Sequence, residues 1–154
     1  EANTTSACFC TTIHGYGLIG LDTHEPGCDG GLLSEASTDW FKEQLVKFKD
    51  TSVLVFMHHP PLDTGDTFFD SIGLRNRREW FEMAKSYQQI QGIGYGHLHR
   101  TMTLCERPRV QGAPSTAFGM TLEAGKFLPL KEGAGYLIWT LNRTGVNAEV
   151  LVGL

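Results

Sequence analysis

Apolar residues occur in short blocks divided by Gly, Pro and polar residues, and the spacing within each block sets the element expected there. Residues 7–13 (Ala-Cys-Phe-Cys-Thr-Thr-Ile) and 16–21 (Tyr-Gly-Leu-Ile-Gly-Leu) flank His14-Gly15, which predicts two strands joined by a tight turn. Pro26, Gly27, Gly30 and Gly31 crowd residues 24–34 and predict a loop. Trp40, Phe41, Leu45 and Phe48 recur at helical spacing after Ser37-Thr38-Asp39, which offers N-caps, so a helix is expected near 39–49. Val53–Met57 is an unbroken apolar run, the pattern of a strand buried on both faces in a parallel sheet. Residues 60–73 are rich in Pro, Gly, Asp and Thr and predict a long loop. A second helix is expected near 77–88, capped by Asn76, with Trp80, Phe81, Met83, Ala84 and Tyr87 on its apolar side. Ile90 to Tyr95 reads as a further strand, weakened by Gly92 and Gly94. Beyond residue 101, short β segments are expected near 101–105, 109–112, 136–141 and 147–152, with no helix between them.

The order strand–helix–strand–helix–strand, followed by strands alone, predicts an α/β sheet extended by antiparallel strands. A crossover helix between parallel strands brings their C-terminal ends to one sheet edge, where open α/β sheets bind ligands.

Composition narrows the function. The 154 residues carry 13 basic and 17 acidic side chains, a net charge of −4, so a broad basic field for duplex nucleic acid is excluded. No apolar stretch approaches the ~20 residues of a membrane span. Residues 1–30 are polar and Gly-rich without a basic leader, and the spacing of the four cysteines fits no disulfide scaffold or redox pair, so a reducing, cytoplasmic setting is expected. The chain begins Glu-Ala-Asn without an initiator Met, which joins the motifs below in pointing to a piece of a longer protein.

Four of the six histidines fall in two clusters, each directly after an expected buried strand. The first is Met57-His58-His59-Pro60-Pro61 and the second Gly96-His97-Leu98-His99-Arg100. In an extended segment residues two apart face the same way, so His97 and His99 can meet one metal, or one ion each of a pair ~3.5–4 Å apart. Gly96 removes a side chain just before the first ligand, and Pro60 biases His59 toward extended backbone. Asp63, Asp66 and Asp70 read as solvated loop carboxylates, and Arg75, Arg77 and Arg78 as an exposed helix start.

Val55-Phe-Met-His-His-Pro-Pro-Leu62 and Gly94-Tyr-Gly-His-Leu-His-Arg100 resemble the last two motifs of the calcineurin-like metallophosphoesterases, most closely the bacterial cyclic nucleotide phosphodiesterases and glycerophosphodiesterases. Leu18-Ile-Gly-Leu-Asp-Thr23, Gly30-Gly31-Leu32-Leu33, and Trp40 with Leu45 are similar to the segment that precedes them there. The resemblance implies an α/β fold, the C-terminal portion of an αββα sandwich with mixed sheets and flanking helices. It implies two divalent ions (manganese, iron, zinc or cobalt), with His58 and His97 on one and His99 on the other. His59 and Gly96 are placed behind the ligands or at the substrate pocket. The implied activity is hydrolysis of a small phosphodiester by a metal-activated water; composition adds that no membrane or duplex nucleic acid is expected as a partner, and an unused strand edge, where the missing part would pair, makes a homo-oligomer an expectation.

The family's earlier motifs, Asp-x-His, Gly-Asp and Gly-Asn-His-Asp, supply a bridging Asp, further ligands and the general acid. Gly-Asn-His-Asp is absent here. Asp22-Thr23-His24 formally matches Asp-x-His, but only 33 residues separate His24 from His58, too few for what should lie between. Residues 1–154 are therefore expected to be the C-terminal part of one metallophosphoesterase domain, without a catalytic acid of its own and nearly inactive alone. The alternative is a truncated or degenerate non-catalytic domain that binds metal weakly, or a partner.

Overall fold

The computed structural model describes residues 7–123, 126–129, 134–142 and 145–152. Strands β1 (Phe9–Ile13) and β2 (Tyr16–Leu21) form the expected hairpin, closed by His14 and Gly15 at φ 48° and 83°. Both turn residues are left-handed, as a two-residue hairpin matched to strand twist requires. Helix α1 (Glu35–Lys47) then leads to β3 (Val53–Met57). Two further helices, α2 (Thr67–Ser71) and α3 (Arg77–Ala84), precede β4 (Ile90–Tyr95). Strands β5 (Met102–Glu106) and β6 (Arg109–Gly112) complete a six-stranded mixed sheet in the order β1-β2-β3-β4-β6-β5. Strands β2, β3, β4 and β6 run parallel, and β1 and β5 pair antiparallel at the two edges. The chain is thus mixed α/β, as its pattern predicts.

The parallel strands carry the core, with Ile19, Val53, Val55 and Ile93 fully buried. Helix α1 contributes Phe41 and Leu45, and α3 contributes Trp80, Phe81 and Ala84. The Phe41 and Trp80 rings pack 5.5 Å apart. A ribbon of β9 (Gly135–Asn142) and β10 (Gly145–Val152) pairs antiparallel, and its Trp139 meets Phe56 of β3 edge-on at 6.3 Å. This ribbon explains Gly92 in β4: a Cβ there would stand 2.6 Å from the Trp139 ring and 2.8 Å from Leu54.

Four boundaries differ from expectation. Helix α1 starts at Glu35, because Ser34 rather than the 37–39 triplet caps it, accepting from the Ser37 N–H at 3.1 Å. The expected loop 60–73 contains α2, because Asp66 Oδ1 accepts from the N–H groups of Phe68 and Phe69. Helix α3 stops at Ala84, and Asn76 makes no side-chain cap; its amide instead bonds the Leu33 N–H and carbonyl. A hairpin of β7 (Met120–Glu123) and β8 (Lys126–Pro129) forms where no strands were expected. No helix among the described residues is long and apolar enough to cross a membrane.

Candidate metal centre

Parallel pairing sets the strand ends level. Leu21 lies opposite Met57, and Met57 opposite Tyr95. Asp22-Thr23-His24, His58-His59 and Gly96-His97-Leu98-His99 therefore leave the same sheet edge side by side. The Gly96 N–H continues the ladder by donating to the His58 carbonyl at 3.0 Å. Gly96 itself is not a forced glycine, since a Cβ there would sit 3.5 Å from the His58 ring, an ordinary contact.

The ligand-type nitrogens of His58, His59 and His97 all lie within 4.8 Å of one another. His58 Nε2 and His97 Nδ1 are 3.3 Å apart. His99 stands outside this group, with its ring 5.6 Å from Phe118. The extended His-x-His geometry expected for this arm is corrected here: His97 and His99 have φ 66° and 53°, left-handed rather than extended. Leu98 between them is fully buried, so the backbone turns to seat it.

His59 is buried at 6% exposure, and its surroundings are specific. Its Nδ1 lies 2.8 Å from Thr23 Oγ1, and its Nε2 lies 3.5 Å from the Asp29 carbonyl. Gly31 closes over it: a Cβ at that position would fall 2.3 Å from His59 Nδ1. Thr23 is the residue that sequence reasoning missed. Its only signal was its place in Asp22-Thr23-His24 after a buried strand.

Burial favours the neutral imidazole, the form that offers a lone pair to a cation. Desolvation first, then His59, His58 and His99, holds His97 down to about 4, with the Ile72 carbonyl acting in the opposite sense. Desolvation followed by His99 lowers His58, and desolvation followed by His58 and His24 lowers His59. His97 Nε2 and His99 Nδ1 are buried without a protein partner.

The nearby carboxylates are occupied elsewhere. Asp66 caps α2 and pairs with Arg100 at 3.4 Å. Asp70 accepts from the Thr64 N–H and hydroxyl and the Gly65 N–H. Asp63 accepts from Arg77 and Arg78, and the Arg77 bond holds its carboxyl below the usual range. Asp22 accepts from the Ala7 and His24 N–H groups. Asp63 is exposed as expected, whereas Asp66 and Asp70 are half-buried and bonded rather than simply solvated, and the arginines mark an exposed helix start in which Arg75 and Arg77 also pair with Glu25 and Asp63. No carboxylate joins the three-histidine group among the described residues.

No family model matches the chain. A probable glycerophosphodiester phosphodiesterase from Arcobacter nitrofigilis is 39% identical over 87 residues, 56% of this chain and 32% of that protein. A 3',5'-cyclic-nucleotide phosphodiesterase from a Nostoc species is 27% identical over 132 residues, 84% of this chain and 49% of that protein. A probable cyclic nucleotide phosphodiesterase from a Synechococcus species is 31% identical over 107 residues, 70% and 39% of the two chains. The chain spans about a third to a half of the length of these curated relatives. The resemblance carried by the two histidine motifs is matched by these relatives: over part of its length the chain is similar to bacterial proteins named cyclic nucleotide or glycerophosphodiester phosphodiesterases.

Proposed function

We propose that this chain carries the histidine side of a metal-dependent phosphodiesterase centre, with a small cyclic nucleotide or glycerophosphodiester as substrate. The observation that carries the reading is the His58–His97 contact at level ends of parallel strands, in a chain whose relatives are named phosphodiesterases. The cytoplasm is the setting we propose with it, supported by the cysteine spacing.

The residues present fit a divalent cation. Burial favours the neutral form of the His58, His59 and His97 rings, His97 Nε2 and His99 Nδ1 are buried without a partner, and no carboxylate joins the group among the described residues. His58 and His97 would hold one ion, and His99 would serve a second. Imidazole donors suit zinc, iron or cobalt, and manganese would need added carboxylates. A bound cation would lower the pKa of a coordinated water and polarise a phosphoryl oxygen. The chain's own part is to present bare imidazole nitrogens from a rigid edge. Leu98, buried beneath the second arm, fixes where those rings stand.

The all-imidazole group favours a second reading for residues 1–154 taken alone: cation binding without turnover. Zinc calorimetry and hydrolysis of bis(4-nitrophenyl) phosphate with added manganese separate the two. Zinc binding that His58→Ala removes supports the centre. Turnover dependent on His97 supports the enzyme, whereas binding with no turnover supports the second reading. No zinc binding would overturn both.

A further inference from the structure

Thr23 has no part in the reading above, yet it is 1% exposed and its hydroxyl faces the histidine group. The hydrogen bonds around His59 decide which of its nitrogens carries the proton. The Asp29 carbonyl, 3.5 Å from Nε2, can only accept, which favours the hydrogen on Nε2. In the neutral ring Nδ1 is then bare and accepts from the Thr23 hydroxyl at 2.8 Å. The same oxygen accepts from the His59 main-chain N–H at 3.4 Å.

Both ring nitrogens of His59 are therefore engaged by the frame of the protein, whereas His97 Nδ1 faces another imidazole nitrogen, His58 Nε2, at 3.3 Å. Ligation through Nδ1 would take its lone pair from Thr23. Ligation through Nε2 would require the other tautomer and release the Asp29 carbonyl. Either change leaves a buried polar group without its bond, which is costly. The seat is also tight, since the Gly31 backbone leaves no room for a Cβ beside Nδ1. What His59 does offer is a wall. Its ring lies 4.6 Å from that of His97 and 4.9 Å from that of His58.

We propose that Thr23 is a positioning residue: its hydroxyl holds His59 in the Nε2–H tautomer and out of the coordination sphere, so that His59 orients the rings of His58 and His97, which take the ion. This rests on reading the cluster as a cation centre. A partner that fixes the ring behind a metal site typically changes affinity ~10–100-fold when removed.

Long-range proton–nitrogen NMR of the metal-free chain reports the protonated nitrogen of each ring, and a cobalt(II) absorption titration reports affinity and stoichiometry. The wild-type chain should show His59 as Nε2–H. Thr23→Val should mix its tautomers and weaken cobalt binding ~10–100-fold, while Thr23→Ser restores both. His59→Gln should keep the cobalt stoichiometry. The proposal is overturned if His59 is Nδ1–H in the wild type, or if Thr23→Val leaves tautomer and affinity unchanged. It is equally overturned if His59→Gln abolishes binding. If Thr23→Val does not fold, the wild-type tautomer and Thr23→Ser still decide. Cobalt binding that survives in His97→Ala would instead sink the cation reading, and the NMR result separates that failure from failure of the tautomer lock.

Discussion

The two histidine arms leave one sheet edge and are built in opposite ways. The arm after β3 runs from Met57 through His58-His59-Pro60-Pro61 with no left-handed residue. The arm after β4 sets both His97 and His99 in the left-handed region, around a Leu98 that is wholly buried. A non-glycine residue there costs roughly 1–2 kcal/mol. The same arm holds the two histidines with a buried, unpartnered nitrogen, whereas His59 on the relaxed arm has both nitrogens bonded. Backbone strain and unmet binding capacity therefore coincide, as expected where strain is kept for a ligand. The arm after β3 combines one ring free of such bonds to the protein frame, His58, with a fixed one, His59, while the arm after β4 carries the backbone strain.

The largest test of this contrast removes a ring from the strained arm. His97→Ala should abolish zinc binding in calorimetry, while His59→Gln on the relaxed arm leaves it measurable. Equal losses would erase the distinction between arms. A smaller effect follows from pressing on the fixed ring. Gly31→Ala should drive a methyl into His59 and Thr23, costing about 1–3 kcal/mol of stability in urea unfolding, the usual range for overpacking. An unchanged urea midpoint would show that the seat around His59 is looser than its contacts indicate.

Acidity should act mainly through the strained arm. His97 is held from 6.5 down to about 4, chiefly by desolvation and then by His59, His58 and His99. Between those values the unfolded chain binds more protons than the folded one. The stability that neutral His97 contributes is therefore full above pH 6.5 and is lost as pH falls toward about 4. His58 and His59 act in the same sense. The melting temperature of the metal-free chain should fall through this interval, and His97→Asn should flatten the fall. A melting temperature that rose on acidification would contradict the sign.

The smallest effect concerns the strain itself. His99→Gly should raise the stability of the metal-free chain by about 0.5–1 kcal/mol, partly offset by the entropy of glycine. His14→Asn, in the exposed hairpin turn at φ 48°, should give a similar gain without touching zinc affinity. Destabilisation by His99→Gly would mean that its ring, through Phe118, contributes more than its backbone costs.

The relaxed arm was legible in the sequence and the strained arm only in part. Val53–Met57 states a buried strand, and it is found; Pro60-Pro61 states that no helix starts directly after it, and none does. The pairing of two histidine clusters at level strand ends was also readable, because a crossover helix fixes parallel direction. The left-handed turn at His97 and His99 was not, since it arises from burying Leu98, a tertiary demand that a His-x-His spacing does not express. Thr23 escaped for a related reason. Its partner lies 36 residues away, and only the β2–β3 register brings the hydroxyl to His59. Helix α2 was hidden by composition: Asp66 reads as a turn residue until its carboxylate is seen capping Phe68 and Phe69.

The most direct test of the central claim is an anomalous difference map from crystals of the chain grown with zinc. The account predicts a peak ~2.0–2.1 Å from nitrogens of His58 and His97, with His59 still on Thr23 and Asp29. A peak ligated by His59 with the Thr23 bond broken, or no peak at this sheet edge, would contradict it.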